Sequence, residues 1–207
     1  MTRDEPNLPV FPLPGVVLYP RTVLPLHIFE LRYRLMLSEV LDSHGLIAMS
    51  KAAPEGEVDD DSQWKISEVV GIGRVADYRK NEDGTSEIAL LGEARARVIE
   101  WREGKPFRQA KLALLKDVKI RSAVLRDRLK AELVSHLLTL LPRNGPQEEK
   151  EKLTQAFARE ADVGFLADFI SFRFLNDPED RQVMLEEIDV EKRVGHLRDF
   201  LSLRGLI

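Results

Sequence analysis

The chain has 207 residues, of which 43% are hydrophobic and 32% charged, the composition of an ordinary globular protein. The net charge of -4 gives no overall attraction to nucleic acid or to an anionic membrane, and the absence of cysteine excludes disulfides and thiolate chemistry. Since no stretch reaches the ~18 apolar residues of a membrane span, we expect a soluble, cytoplasmic protein with no membrane partner.

The chain opens with an apolar segment that is interrupted by prolines. Residues 8–34 read LPVFPLPGVVLYPRTVLPLHIFELRYR. Proline fixes φ and lacks an N–H, so neither a helix nor a central strand is expected to run through this segment unbroken. The pattern predicts extended edge structure, with short strands at residues 10–11 and 16–19 separated by a bend at Pro14 and Gly15.

The apolar spacing changes at Ile28. From there a 3.6-residue period predicts an amphipathic helix at about residues 30–41, packed back on the strands. The apolar positions of this pattern are Ile28, Leu31, Leu35, Met36 and Val40. Residues 46–49 read as a buried strand after Gly45, and the acidic residues 51–63 are typical of a mobile loop.

Further short strands follow this loop. They are predicted at residues 69–75 and 88–91, joined through a hairpin turn at residues 83–84. Pairing continues through residues 95–101, and residues 109–115 form another strand. Several antiparallel strands within about a hundred residues are typical of a small barrel or of two curled sheets.

The spacing becomes helical from Ser122 onward. Ser122 is predicted to cap a helix that ends at Pro142 and Gly145. Its apolar face consists of Leu125, Leu129, Leu133, Leu137, Leu138 and Leu141. A short helix carrying Leu153 and Phe157 comes next.

Three more helices complete the chain. Residues 163–175 are apolar on more than one face, which places this helix at the centre of a bundle. Residues 182–187 form another helix with Val183, Met184 and Leu185 inward, and Asp189 caps the last one. We therefore expect an α+β protein, with a β-rich subdomain at residues 1–121 followed by an α-helical bundle at residues 122–207.

Three stretches of this sequence resemble the Lon protease N-terminal, substrate-recognition domain. The proline-rich residues 8–34 are the most specific of them; residues 69–98 resemble the family's paired strands, and LEEIDVEKRVGHLRDFL resembles its closing helices. The order and spacing match over nearly the whole chain, in the form found in short proteins that carry this domain alone. The resemblance implies a PUA-like barrel in the β-rich half and a role in binding polypeptide.

Motifs for catalysis are absent from the sequence. Residues 71–76, GIGRVA, satisfy the G-x-G-x-x-G/A dinucleotide pattern, but a hairpin turn follows where that site needs a helix, so we interpret the glycines as a bulge or a close approach of strands. The chain has no P-loop, no G-x-S-x-G elbow and no paired histidines. Nothing resembles the ATPase and Ser-Lys protease domains of full Lon proteases. We predict that the chain is not an enzyme and uses no cofactor or metal.

Aromatic and arginine side chains gather near the first helix. These types are enriched in protein-binding hot spots. The candidate protein-binding residues are Tyr19, Arg21, Phe29, Arg32 and Tyr33. A structural role is the alternative, because Glu30 and Arg34 form an i,i+4 pair and Phe29 and Tyr33 can close the barrel.

A second group of basic residues surrounds Trp101 and Phe107, a pattern typical of nucleic-acid surfaces. The candidate RNA-binding residues are Arg95, Arg97, Arg102, Lys105 and Arg108. Neighbouring glutamates dilute their field, so a solvated strand face is the alternative. The leading hypothesis is a non-catalytic module that binds unfolded or extended polypeptide or a partner protein, as an adaptor or protein-quality-control factor. RNA binding through the PUA-like barrel is the competing hypothesis.

Overall fold

The computed structural model describes residues 5–53, 65–142, 146–160 and 162–207. Within these ranges the chain forms six strands and six helices, so the protein is α+β. They fall into two compact units, Met1–Leu115 and Lys116–Ile207. Most of the loop expected at residues 51–63 lies outside the described residues, and so does Gly145.

The first unit holds one mixed sheet and one helix. Its elements are β1 (Asn7–Pro14), β2 (Val23–Ile28), α1 (Leu31–Leu41), β3 (Leu46–Ala52), β4 (Val69–Lys80), β5 (Ser86–Arg102) and β6 (Gln109–Leu115). The strand order is β2-β5-β4-β3-β1-β6, and β6 also pairs with β5. Five strands, all except β2, therefore pair in a closed ring. Strands β1 and β3 are parallel, and every other pairing of the described strands is antiparallel.

Strand β1 is continuous and lies between two other strands, so the expectation of interrupted edge structure is wrong. Residues 7–9 pair with β6, and residues 10–14 pair with β3. Each half of β1 thus pairs with one neighbouring strand, an arrangement that tolerates the missing N–H of proline.

Residues 16–22 form no strand, which corrects the strand predicted at residues 16–19. Val17, Leu18, Tyr19 and Thr22 of this segment are buried. This segment crosses over β4 and β5 at very short range. A Cβ on Gly71 would overlap the carbonyl oxygen of Leu18, and one on Gly92 would overlap that of Tyr19. Gly71, the first glycine of the dinucleotide-like pattern, therefore allows the backbone of residues 16–22 to approach the backbone of β4 closely.

The remaining strands follow the sequence pattern, apart from β2. Strands β3 to β6 form where expected, and β4 and β5 extend further around the turn at Gly84, whose φ is +81°. The pattern did not indicate β2, because Pro25 lowers its strand propensity. Strand β2 lies at the end of the strand order, where proline is tolerated.

Two apolar clusters form the core of the first unit. One lies between α1 and the sheet and includes Phe11, Leu18, Tyr33, Met36 and Leu90. The other draws its residues from the five strands of the ring. Its members are Leu8, Val10, Ala48, Val70, Ile72, Ala96, Ala110 and Leu112. The two sides of β1 thus contribute to different clusters, since successive side chains of a strand point to opposite faces.

The second unit consists of helices in the residues described. They are α2 (Ala123–Leu140), α3 (Gln147–Arg159), α4 (Val163–Phe174), α5 (Pro178–Glu186) and α6 (Val190–Leu203). The predicted caps are present: Ser122 Oγ accepts the N–H of Leu125 at 3.2 Å, and the carboxylate of Asp189 accepts the first N–H groups of α6. Helix α4 packs against α2, α5 and α6. Leu138 and Val183 are exposed, so their predicted inward placement is wrong.

Candidate functional site

Helix α1 forms as predicted but buries a different face. Its buried side chains are Tyr33, Met36, Leu37 and Val40. Leu31 is 69% exposed and Leu35 46% exposed, although the apolar period placed both against the strands. The ring of Tyr33 packs on that of Phe11 with centroids 4.3 Å apart. This contact with β1 turns Leu31 and Leu35 toward solvent.

A pocket of about 380 Å³ lies beside this exposed face. Leucines of α1 form one side, and the ends of β4 and β5 form the other. We call it the α1 groove, lined by Leu31, Arg34, Leu35, Leu41, Tyr78 and Lys80 among others. Tyr78 is 41% exposed. The groove therefore combines an apolar floor with two cations, Arg34 and Lys80, and one carboxylate, from Asp42.

A second pocket, of about 570 Å³, lies between the start of α1 and the hairpin that joins β5 and β6. Four cationic side chains line it, together with one carboxylate from Glu103. We call it the basic pocket, defined by Arg32, Tyr33, Arg102, Lys105, Phe107 and Arg108. Its walls come from segments that are distant in sequence.

Three cations of the basic pocket are held by carboxylates of the same chain. Arg32 Nε donates to Glu30 at 2.9 Å, and Lys105 Nζ donates to Glu39 at 2.9 Å. The guanidinium of Arg102 lies 3.1 Å from the carboxylate of Glu100. All three cations are exposed, so these pairs are individually weak.

Aromatic rings fix the orientation of two guanidinium groups here. Arg108 lies over the ring of Trp101, 5.6 Å from its centroid, and Arg32 lies 4.6 Å from the centroid of Tyr33. Burial raises the pKa of the Tyr33 hydroxyl, although the charge of Arg32 opposes the shift. Tyr33 is therefore neutral at physiological pH, and the charge of the pocket comes from its Arg and Lys side chains.

The predicted protein-binding residues divide into buried and exposed members. Tyr19 and Tyr33 are buried in the core, so neither presents a broad surface to a partner. Phe29 is 61% exposed and stacks on the ring of His27 at 5.9 Å. Arg21 has a left-handed φ of 65°, and its N–H donates to the carbonyl of Gly92 at 2.7 Å.

The predicted RNA-binding residues do not form one surface. Arg95 is buried, and Arg97 lies 3.8 Å from the carboxylate of Glu68. Arg102, Lys105 and Arg108 line the basic pocket, where they meet Arg32 and Tyr33 of the protein-binding set. The structure thus brings members of the two sets together.

Sequence reasoning missed the apolar lining of the α1 groove. The helical spacing predicts Leu31 and Leu35 in the core, and the sequence pattern does not single out Tyr78. One signal was available: Leu35 and Met36 are adjacent, so both cannot lie on the same narrow face of a helix. An amphipathic helix with surplus apolar residues can bury one face and expose another.

The family model of the ATP-dependent protease La (LON) substrate-binding domain matches residues 7–202. The chain belongs to this family. As a Lon substrate-binding domain, it is 28% identical over 202 residues to the Lon protease of Dictyoglomus thermophilum. It is 25% identical over 207 residues to the Lon protease of Roseiflexus castenholzii. Each match covers 97% of this chain and 25% of the relative, so the chain spans about a quarter of the length of these proteases.

Solved Lon N-terminal domains have the same fold. The N-terminal domain of the Mycobacterium avium complex Lon protease matches with a TM-score of 0.71 and 20% identity, covering 95% of this chain and 98% of that one. The Lon N-terminal domain protein from Xanthomonas campestris matches with a TM-score of 0.67 and 18% identity, covering 94% and 98%. The family assignment made from the proline-rich opening is thus confirmed.

The described residues of this Lon substrate-binding domain contain neither a metal-binding cluster nor a membrane-spanning helix. Among the residues that the structure describes, no group of three His, Asp or Glu side chains could hold a metal ion. Across the same ranges, no helix combines the length and apolar character needed to cross a membrane. The α1 groove and the basic pocket both include residues of α1 and are the candidate binding sites of this domain.

Proposed function

We propose that this Lon substrate-binding domain is a non-catalytic module that binds unfolded or extended polypeptide in the α1 groove. The observation that carries the proposal is the exposure of Leu31, Leu35 and Tyr78 around one concave surface. Apolar side chains grouped on a surface mark interaction sites. Burying one large apolar side chain against a ligand stabilises the complex by about 1.5–3 kcal/mol. Unfolded polypeptide exposes the apolar side chains that such a groove accepts.

The polar rim of the α1 groove suits a polypeptide backbone. Arg34 and Lys80 supply N–H donors at the edge of the apolar floor, where they can bond to carbonyl oxygens of an extended chain. Bonds to backbone carbonyls are independent of sequence. The groove would therefore select apolar character more than a particular order of residues.

The finer features implied by the family resemblance belong to this proposal. The closed ring of five strands supports a barrel of the PUA-like type. We place the two subdomains of the proposal at residues 1–121 and 122–207, and the protein in the cytoplasm. Its role there would be that of an adaptor or protein-quality-control factor.

The test measures binding of a fluorescently labelled, permanently unfolded polypeptide by anisotropy. We expect the double variant Leu31→Ser with Leu35→Ser to bind at least about 10-fold more weakly, because two apolar contacts are lost. The matched control is Leu138→Ser with Leu203→Ser, which changes two leucines of the second unit that are 52% and 81% exposed and do not line the groove. Equal loss in both double variants would contradict the α1 groove as the binding surface.

RNA is the competing ligand, and salt separates it from polypeptide. Binding through apolar contacts persists as salt rises, whereas binding to several phosphates weakens by about 10³-fold or more between 50 and 200 mM salt. We expect salt-tolerant binding of the unfolded polypeptide and weak binding of single-stranded RNA. Tight RNA binding without affinity for polypeptide would transfer the function to the RNA class.

A further inference from the structure

We propose that the basic pocket binds carboxylate side chains in an acidic segment of the polypeptide whose apolar residues occupy the α1 groove. The inference rests on the proposed function, since both sites would hold one chain. It adds a charge preference to the ligand: apolar residues followed by, or preceded by, Asp or Glu. Three features support it: the two pockets are adjacent on α1, the basic pocket carries four cations, and three of these cations already contact carboxylates.

The two pockets share the first turn of α1. Leu31 lines the α1 groove, and its neighbour Arg32 lines the basic pocket. Consecutive Cα atoms are about 3.8 Å apart, so an extended segment of a few residues can reach from one site to the other. One ligand chain can therefore place an apolar side chain in the first site and a charged one in the second.

Charge complementarity identifies the ligand group. Arg32, Arg102, Lys105 and Arg108 converge on a pocket whose lining includes a single carboxylate, from Glu103. Guanidinium groups bind carboxylates with two parallel N–H donors. The volume of about 570 Å³ admits acidic side chains together with a piece of backbone. Arg108 lies over the ring of Trp101, a contact that orients its guanidinium at the wall of the pocket.

Three cations of the pocket already contact carboxylates of the same chain that lie outside its lining. Glu30, Glu39 and Glu100 each contact one of its cations. These pairs are 39% to 53% exposed at the side chains, and exposed ion pairs contribute little to stability. A carboxylate of a bound peptide can replace them, because it offers the same chemistry together with the contacts made in the α1 groove.

The experiment uses the full 207-residue chain and two labelled peptides of equal length. One carries a leucine-rich segment next to three glutamates, and the other has glutamine in place of each glutamate. We expect the glutamate peptide to bind about 10-fold more tightly at 50 mM salt. We expect Arg102→Gln with Lys105→Gln to remove this difference and to leave the affinity for the glutamine peptide within about two-fold of the unmodified protein.

The matched control is Arg97→Gln with Lys111→Gln. Arg97 lies on β5, as Arg102 does, and Lys111 lies on β6, which follows the hairpin that carries Lys105. Each control cation contacts a glutamate, Glu68 or Glu5, but neither lines the pocket. Their replacement removes the same net charge, so a general field effect would appear equally in both double variants. We expect the control to keep the preference for glutamate.

Each outcome addresses one proposal. Equal affinity for the two peptides, or equal loss in the two double variants, overturns the carboxylate site and leaves the α1 groove untouched. Failure of both peptides to bind overturns the proposed function itself. Single-stranded RNA could also bind more tightly than the glutamate peptide and lose its affinity only in the Arg102→Gln, Lys105→Gln variant. That result would identify phosphate, and not carboxylate, as the group that the pocket binds.

Discussion

The guanidinium of Arg193 is completely buried and meets the carboxylate of Asp117 through two hydrogen bonds of 2.6 and 3.0 Å. It also lies 3.3 Å from the carboxylate of Asp168, which is buried on α4, and donates to the carbonyl of Glu187 at 2.8 Å. Burial acts to lower the pKa of Arg193, but the two aspartates outweigh it and raise the pKa above its usual value. Arg193 therefore stays charged and joins α6 to α4 and to the segment before α2.

Removing this cation should strongly destabilise the helical unit. We expect Arg193→Met to lower the free energy of unfolding by about 3–5 kcal/mol, because the buried carboxylate of Asp168 would lose the cation that lies 3.3 Å from it. The measurement is urea unfolding followed by circular dichroism at 222 nm. The matched control is Arg198→Met on the same helix, where an exposed arginine bonds to Glu132 and the expected cost is below about 1 kcal/mol. A similar loss of unfolding free energy in the two variants would show that the contacts of Arg193 with Asp117 and Asp168 contribute little to the stability of the helical unit.

The glycine at position 92 should be irreplaceable. An alanine there would place its Cβ into the carbonyl of Tyr19, so backbone must shift. We expect Gly92→Ala to cost about 1–3 kcal/mol, as overpacking does. Gly195→Ala on α6 is the control: no atom lies within 4 Å of its Cβ, and alanine favours a helix by about 0.5–1 kcal/mol. Thermal unfolding measures the stability of both variants. A Gly92→Ala protein as stable as the unmodified protein would contradict the close crossing of residues 16–22 over β5.

The pair of Glu132 and Arg198 predicts a pH dependence. Burial acts to raise the pKa of the Glu132 carboxyl, but the hydrogen bonds and charge of Arg198 outweigh it and hold the pKa below 4.5. The unfolded chain then binds a proton more readily than the folded one, so this contribution to stability is present above pH 4.5 and lost as pH falls through the folded pKa.

The variant Arg198→Gln tests this dependence. We expect the difference in unfolding free energy between the unmodified protein and the variant to shrink as pH falls from about 5 to about 3. An NMR titration of the Glu132 carboxyl should show its pKa rising when Arg198 is replaced. A difference that stays constant with pH would refute the assignment. Arg126→Gln on the same helix as Glu132 serves as a control for the loss of one surface charge.

The starts of α2 and α6 could be predicted because they depend on local chemistry, whereas α5 begins at Pro178, four residues before the predicted start. Ser122 and Asp189 act on N–H groups two or three residues away, and the spacing of Val190, Val194 and Leu197 places the buried face of α6 correctly. Arg193 could not be predicted. Its partners lie 76 and 25 residues away in sequence, so only the folded chain reveals why a charge is buried there.

The candidate site shows the same limit. The sequence pattern located the important region, around α1, and the residue types that line the basic pocket. It assigned Leu31 and Leu35 to the core because an apolar period does not tell which of two apolar faces will be buried. That choice depends on the contact of Tyr33 with Phe11, which joins α1 to β1. Exposure of an apolar face is thus a tertiary property, and no local pattern reports it.

The prolines of β1 also bear on synthesis of the chain. Residues 7–9 of β1 are synthesised before their partner β6, which follows about 100 residues later. At about 5–20 residues per second, this strand waits on the order of 5–20 s at the ribosome before its pairing can be completed. An apolar strand left unpaired for that time is prone to join another chain, and residues without an N–H interrupt such a ladder. Of the three prolines of β1, only Pro9 lies in the part that waits for β6, because Pro12 and Pro14 pair with the earlier strand β3. We expect Pro9 to lower the tendency of this segment to join another chain during that interval.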